Sequence, residues 1–413
     1  MTLERLLGDA AARVPDRPAL AFEGLRFTYA ELDAMADAAQ PEQRVLPLPM
    51  PNVPESVARF HGALRHGAVV VPLNPLLSER EVEQRRRPFE PAPGTAVVLY
   101  TSGTTGESKR VELPGPLLRA NAEYLARDGL RLTADDVVFG SAPLSHVFGL
   151  TGCMNAAIAA GAMLALVRRF DARDALETIE RERVTVFMGV PTMLAALLAA
   201  SDETGKAPPL RLAHVGAAPV APATVEAFED RFRATVLEGY GMTEVGGVVA
   251  INHADRPRKP GSVGTAAAGQ ALRIAGDGEV LVRSGGQWLA TGDIGALDED
   301  GYLFLLDRKK DVILRGGYTI YPRQVEEALV AHPAVSEAAV VGVPHALLGE
   351  EVAALVVPAG ACEPEELKAF VRERVAAYAY PRLVVLVDDL PRGPSGKVLR
   401  REIDRGRLAS LLG

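Results

Sequence analysis

Short, continuous apolar runs separated by helical stretches constrain this chain more than any other feature. Val69-Val70-Val71 and Val184-Thr185-Val186-Phe187-Met188 are apolar at neighbouring positions rather than at every second one. Strands that hide both faces read that way, and they lie in parallel sheets covered by helices. Strand and helix alternate along the whole chain, the pattern of α/β architecture. With 413 residues, two or three domains are expected. Thr28-Tyr29-Ala30-Glu31 is a capping box, with Phe27 and Leu32 spaced as its staple, and starts one of the helices. Met1 to Leu7 reads as an amphipathic helix start without the basic and apolar regions of a signal peptide.

Charge and cysteine usage exclude several classes. A formal net charge of −8 argues against nucleic acid and anionic membranes as partners. Cys153 and Cys362 are the two cysteines and lie far apart. They form no CxxC metal pattern or disulfide framework, which fits a reducing cytoplasm. Val147 to Val167 carries no charge over 21 residues, long enough to span a bilayer. Gly149, Gly152, Asn155 and Gly161 interrupt it, so it reads as a buried helix, a turn and a strand, with no stable membrane insertion.

In open α/β sheets ligands sit beyond the carboxyl ends of strands, which makes the loops there site candidates. Arg211 to Val215 leads into Gly216-Ala217-Ala218-Pro219, and Thr235 to Glu238 leads into Gly239-Tyr240-Gly241-Met242-Thr243-Glu244. The sharpest candidate follows the apolar run Ala96 to Tyr100: Thr101-Ser102-Gly103-Thr104-Thr105-Gly106-Glu107-Ser108-Lys109-Arg110. Glycine lets a backbone approach a ligand closely, and successive N–H groups in such a turn converge on an anion. The hydroxyls add donors and Lys109 adds charge. It is not a Walker A loop, because Ser108 stands where that pattern needs Gly and Arg110 where it needs Ser or Thr.

After about residue 260 the chain changes to short glycine-rich strands (278–282, 301–305), an antiparallel subdomain. The charged segment Asp307-Arg308-Lys309-Lys310-Asp311 follows. A compact α/β unit comes next: a helix from about Tyr321, strands at 338–341, 352–357 and 383–387, and a helix from Pro364. The expected domains are 1–307 and 308–413, with the charged segment as linker. Thr291-Gly292-Asp293, Gly316-Gly317-Tyr318 and Pro394-Ser395-Gly396-Lys397 would each pass as an ordinary turn.

Taken together and in order, these segments resemble the acyl-adenylate-forming superfamily of acyl-CoA synthetases, adenylation domains and luciferases. The resemblance covers nearly the whole chain. It rests on YTSGTTG-x-x-K at 100–109, PLSHVFGL at 143–150, GAAP at 216–219, YGMTE at 240–244, TGD at 291–293, DRKKDVILRGGYTIYPRQVEE at 307–327 and PSGK at 394–397. It implies a large N-terminal domain of αβ layers with a small antiparallel β-subdomain, and a small mobile α/β C-terminal domain. The implied reaction joins a carboxylic acid to ATP as acyl-AMP, then transfers the acyl group to coenzyme A. An acyl carrier protein is the alternative thiol, and an inactive nucleotide-binding homologue is the alternative from another class.

The resemblance also implies residue roles. Thr101, Ser102, Gly103, Thr104, Thr105 and Lys109 would cradle the leaving phosphates. Tyr240 would stack on adenine beside Gly239, and Thr243 would contact the α-phosphate. Glu244 would hold Mg²⁺, with Thr105 as a second metal contact. Asp293 and Arg308 match the ribose-binding positions. Lys397 matches the lysine that bridges the acyl carboxylate and the α-phosphate. His146 matches a gate beside the acyl site, which Gly216, Ala217, Ala218 and Gly241 would line. Lys310 matches the hinge, and Gly316 and Gly317 the loop presented to the thiol tunnel.

The chain also departs from the pattern. Ser108 and Arg110 replace the usual Pro and Gly. Only about two dozen residues, including Arg85-Arg86-Arg87, separate Asn74-Pro75-Leu76-Leu77 from Tyr100, where relatives carry a further βα region. A lost peripheral layer is expected, with the sheet edge near Val70 affected. Malonate-specific relatives carry an arginine soon after the PTM turn. Here Pro191-Thr192-Met193 precedes Leu194, Ala195 and Ala196, which favours a fatty or aryl monocarboxylate. His214 reads as a strand residue rather than a base.

Overall fold

The computed structural model describes residues 2–102, 108–392 and 398–412. Two compact units result, one formed chiefly by residues 1–271 and the other chiefly by 304–413 together with 272–283 and 287–298.

The first unit is built on a nine-stranded sheet. Six strands form its parallel centre in the order Thr235–Met242, Leu212–Val215, Val186–Gly189, Val137–Gly140, Met163–Leu166 and Pro18–Phe22. Four of them, 163–166, 186–189, 212–215 and 137–140 after its first residue, are buried throughout, as continuous apolar runs require. Antiparallel strands close both edges, Leu25–Thr28 on one side and Gly247–Ile251 with Thr265–Ala266 on the other. Thr28 caps the helix Tyr29–Ala38 in the expected box with Glu31. The uncharged stretch becomes a π-helix, Phe148–Asn155, and a short α-helix, Ala156–Ala160. Gly161 ends it at φ +73°, ahead of the strand Met163–Leu166. Among the described residues, no helix is long and apolar enough to cross a membrane.

A second, four-stranded sheet in this unit holds Val45–Pro49, Val69–Leu73, Thr95–Ser102 and Ser108–Pro114. The first three are parallel and the last runs back antiparallel. Val69–Leu73 lies inside this sheet and is fully buried, so Val70 does not sit at an edge. The shortened connection before Tyr100 forms the helix Glu79–Arg86. Arg85 packs over the Tyr100 ring at 5.3 Å, and Arg110 over the ring of Phe89 at 4.3 Å. Two arginines thus cover aromatic rings at the place where the chain is shortened.

The second unit contains a four-stranded sheet in sequential order, Ala271–Ile274, Glu279–Ser284, Gln287–Leu297 and Leu303–Arg308. Gly285 and Gly286, at φ +58° and +87°, make the two-residue turn between its middle strands, a conformation that suits glycine. Five strands form the last sheet: Tyr318–Ile320, Ile313–Arg315, Gly349–Pro358, Val335–His345 and Leu383–Leu386. The helices Pro322–Val330 and Pro364–Arg372 pack on it, burying Val325, Leu329, Leu367 and Val371. The two helices and the strands expected at 278–282, 301–305, 338–341, 352–357 and 383–387 fall within a few residues of their expected places, whereas Ala271–Ile274, Gln287–Leu297, Ile313–Arg315 and Tyr318–Ile320 are strands that the sequence reading did not foresee.

Candidate active site

In the first unit, three adjacent parallel strands end together. Val186–Gly189, Leu212–Val215 and the first half of Thr235–Met242 run side by side, and the candidate loops leave their carboxyl ends. Gly216, the first residue after Leu212–Val215, donates its N–H to the carbonyl of Gly189 at 3.3 Å. A Cβ on Gly216 would sit 3.3 Å from the carbonyl oxygen of Gly239 and 3.6 Å from the Phe148 ring. Three segments singled out in the sequence therefore meet at one point. Ala217 adopts φ +69°, a left-handed conformation that is unfavourable for a residue with a Cβ. Ala217 and Ala218 are both exposed.

The strand bearing Gly239 and Tyr240 needs its glycines. A Cβ on Gly239 would meet the His214 ring at 2.5 Å, and one on Gly241 would lie 2.2 Å from the carbonyl oxygen of Gly247. The register shifts between Tyr240 and Gly241, a bulge of the kind that re-aims side chains beside sites. Tyr240 is half-buried, Thr243 is buried, and Glu244 lies on a single 3₁₀ turn, Thr243–Val245. Asn121 Nδ2 donates to the Val245 carbonyl at 2.7 Å and anchors that turn.

Glu244 Oε1 lies 3.9 Å from Lys109 Nζ, with the lysine two-thirds exposed. Lys109 and Arg110 do not close a loop, as loop composition suggests. They belong to the strand Ser108–Pro114, where Lys109 pairs with Thr101 and Ser108 with Ser102. Gly103, Thr104 and Thr105, with Gly106 and Glu107, lie outside the described residues.

His146 is exposed, and its Nδ1 accepts the N–H of Phe148 at 3.3 Å. Sequence reading overlooked Asn52, which fixes the approach to this residue. Its Nδ2 donates to the carbonyls of Ser141 and Ala142, and its Oδ1 accepts the N–H of Leu144. His214 is buried in its strand, its Nδ1 3.1 Å from the Leu237 carbonyl and its ring 5.7 Å from that of Phe148. Burial pushes its pKa down to about 4, the Leu237 carbonyl opposing. It is a neutral structural histidine, as its strand position predicts.

In the second unit, Arg308 Nε reaches Asp293 Oδ1 at 2.7 Å, with the carboxylate largely buried and the arginine half-exposed. Thr291-Gly292-Asp293 does not form the separate turn its composition suggests: it lies within the strand Gln287–Leu297, where Gly292, at φ +74°, bends the backbone before Asp293 and the Thr291 hydroxyl accepts the Asp293 N–H at 3.1 Å. Lys310 is exposed in a turn. Its neighbours are anchored rather than free. Lys309 binds Asp277 and Glu279, each at 2.7 Å, and Asp311 receives Arg400 Nη1 at 3.4 Å. Gly316 and Gly317, at φ +56° and +86°, form the exposed turn between Ile313–Arg315 and Tyr318–Ile320. Lys397 lies outside the described residues. Arg392 and Val398 on either side of 393–397 form an isolated antiparallel bridge.

Among the described residues no cluster of three or more His, Cys, Asp or Glu side chains could hold a metal. Glu244 alone fits Mg²⁺ shared with a phosphate ligand, because Mg²⁺ commonly takes one or two carboxylates and completes its shell with substrate phosphates and water.

This fold and this arrangement of turns are those of adenylate-forming enzymes. The chain belongs to the AMP-binding enzyme family: the model of that family matches residues 7–91 and 84–294, and its C-terminal domain model matches 324–397. The first match breaks at 84–91, in the shortened connection that holds Arg85 and Phe89. A long-chain-fatty-acid–CoA ligase of Bacillus subtilis (strain 168) is 30% identical over 532 aligned positions, covering 97% of this chain and 94% of that one. The alignment is longer than this chain, so the relative carries segments absent here. The ATP-bound MatB of Rhodopseudomonas palustris superimposes with a TM-score of 0.86 at 26% identity, covering both chains completely. An O-succinylbenzoate coenzyme A synthetase of Bacillus subtilis, in complex with ATP and magnesium ion, gives 0.83 at 28% identity over 97% of this chain and 99% of that one.

Proposed function

We propose that the chain activates a monocarboxylic acid, fatty or aryl, with ATP and Mg²⁺ and transfers the acyl group to coenzyme A. A carboxylate oxygen attacks the α-phosphorus and pyrophosphate leaves. The thiol then attacks the acyl carbonyl and AMP leaves with the mixed-anhydride oxygen. The enzyme is an AMP-forming acid–thiol ligase. The approach of Lys109 to Glu244 carries the reading at residue level, because a cation of the hydroxyl-rich segment lies beside a carboxylate suited to a phosphate-bound metal.

Each group then has a task. Lys109, Thr101 and Ser102, with Gly103, Thr104 and Thr105, stabilise charge on the departing pyrophosphate. Tyr240 stacks on adenine, Thr243 binds the α-phosphate, and Asp293 with Arg308 binds the ribose. Glu244 would hold Mg²⁺, which when bound would withdraw charge from the phosphoryl oxygens. Lys397 stands between two anions that otherwise repel. His146 guards the acyl site. Gly216 beside the Phe148 ring, the small Ala217 and Ala218 that follow it, and the apolar Leu194-Ala195-Ala196 after Met193, support a substrate with an uncharged tail. Lys310 is the joint about which the C-terminal domain, 308–413, turns between half-reactions, bringing Gly316-Gly317 to the thiol. The buried Cys153 and half-buried Cys362, both free, support a cytoplasmic setting.

The test supplies ATP, Mg²⁺ and CoA with butyrate, octanoate, benzoate and malonate in turn and follows thioester and AMP. Octanoate or benzoate is expected to exceed malonate. A preference for malonate contradicts the acid assignment. Thioester formed only on a phosphopantetheinylated carrier protein contradicts the CoA assignment.

A further inference from the structure

Glu279 opens the strand Glu279–Ser284 and is buried. Its two carboxylate oxygens are divided between two distant points of the chain. Oε1 accepts the backbone N–H of Gly292 at 2.9 Å, and Oε2 accepts Lys309 Nζ at 2.7 Å. Gly292 immediately precedes Asp293, and Lys309 immediately follows Arg308. The same two points meet through backbone, where the Lys309 N–H donates to the Gly292 carbonyl at 2.8 Å. Asp277 completes the assembly. Its Oδ2 takes Lys309 Nζ at 2.7 Å, and its Oδ1 accepts the N–H of Glu279 at 3.2 Å.

We propose that Glu279 is a positioning residue for the Asp293–Arg308 pair: one buried carboxylate grips the neighbour of each and so fixes the angle at which both meet the ribose hydroxyls. The inference rests on the reading of Asp293 and Arg308 as ribose ligands. Its physical need is clear. Asp293 follows a glycine at positive φ, and Arg308 is half-exposed on a long flexible side chain. Hydrogen bonds to a hydroxyl weaken steeply with angle, so neither residue discriminates well unless its backbone is held.

The experiment compares kcat/KM for ATP and for 2′-deoxy-ATP in acid-dependent pyrophosphate exchange. Asp293→Ala is expected to bring the ratio close to one. Glu279→Gln keeps an acceptor for Gly292 but turns a donor toward Lys309. It is expected to raise KM for ATP and lower the ratio roughly tenfold, the share of one charge-assisted hydrogen bond, while kcat at saturating ATP holds. Lys309→Met removes only the lysine arm and is expected to move the ratio in the same direction, so it carries the test should Glu279→Gln not fold. The proposal is overturned if Asp293→Ala loses the preference while folded Glu279→Gln and Lys309→Met keep it. If Asp293→Ala itself keeps the full preference, the ribose reading falls and the inference falls with it.

Discussion

Lys109 Nζ stands 3.9 Å from Glu244 Oε1, across from a strand that ends in the hydroxyl-rich segment. The lysine is two-thirds exposed, and an exposed ion pair contributes about 0–1 kcal/mol. Stability therefore does not explain the pairing, whereas the proposed role of the two residues at a phosphate-bound metal would. Glu244→Gln is expected to leave the melting temperature nearly unchanged and to raise the Mg²⁺ concentration needed for half-maximal exchange. An unaltered Mg²⁺ dependence in that variant removes Glu244 from the metal.

Lys397 is assigned between the acyl carboxylate and the α-phosphate. Lys397→Ala is expected to slow adenylation by on the order of 10²–10³, the scale for one lost charge-stabilising donor. Thiolation of supplied acyl-AMP is expected to survive if, as proposed, the lysine serves only the first half-reaction. Equal losses in both half-reactions contradict the assignment.

Lys310 lies in an exposed turn between anchored neighbours, Lys309 on Asp277 and Glu279, and Asp311 beneath Arg400. A joint flanked by two fixed points concentrates rotation on one residue. Proline fixes φ and removes a donor. Lys310→Pro, checked for fold by circular dichroism, is expected to keep most pyrophosphate exchange and lose most thioester formation. Full thioester activity in the folded variant places the pivot elsewhere.

Two buried histidines give the fold an acid limit. Burial pushes His61 down to about 3, with the nearby Arg65 charge adding to the effect, and His214 down to about 4. Both are neutral in the native state, whereas an unfolded histidine binds a proton below about pH 6.5. Their stabilising contribution is complete above pH 6.5 and is lost as pH falls toward the native values. From pH 7.5 to 5 the loss is on the order of 2 kcal/mol for each. Urea unfolding at both pH values measures it. A His61→Leu/His214→Leu variant with the same pH dependence as the parent contradicts this account.

Much of the fold was legible in the sequence, for reasons tied to particular residues. Continuous runs such as Val69 to Val71 announced strands covered on both faces, and Thr28 with Glu31 announced a helix start. The site was less legible. Lys109 looked like a loop residue because Gly, Thr and Ser precede it. The alternation of Val111 and Leu113 behind it, both buried in the strand, was the weaker signal that decides its structure. Arg110 pairs with Glu112 two residues on and covers the ring of Phe89, 21 positions earlier, across a connection that differs from relatives, and the second contact has no local sequence signal. Glu279 was missed because its partners are a backbone N–H and a lysine ammonium brought to it by turns, and no periodicity records such contacts.

The central claim is reversible formation of an acyl-adenylate, and pyrophosphate exchange tests it most directly. Labelled pyrophosphate is supplied with ATP and Mg²⁺, with and without octanoate or benzoate, and label entering ATP is counted. The account predicts exchange that requires the acid, requires Mg²⁺ and proceeds without CoA. Exchange absent with every monocarboxylic acid in the folded protein, or equally fast without any acid, contradicts it.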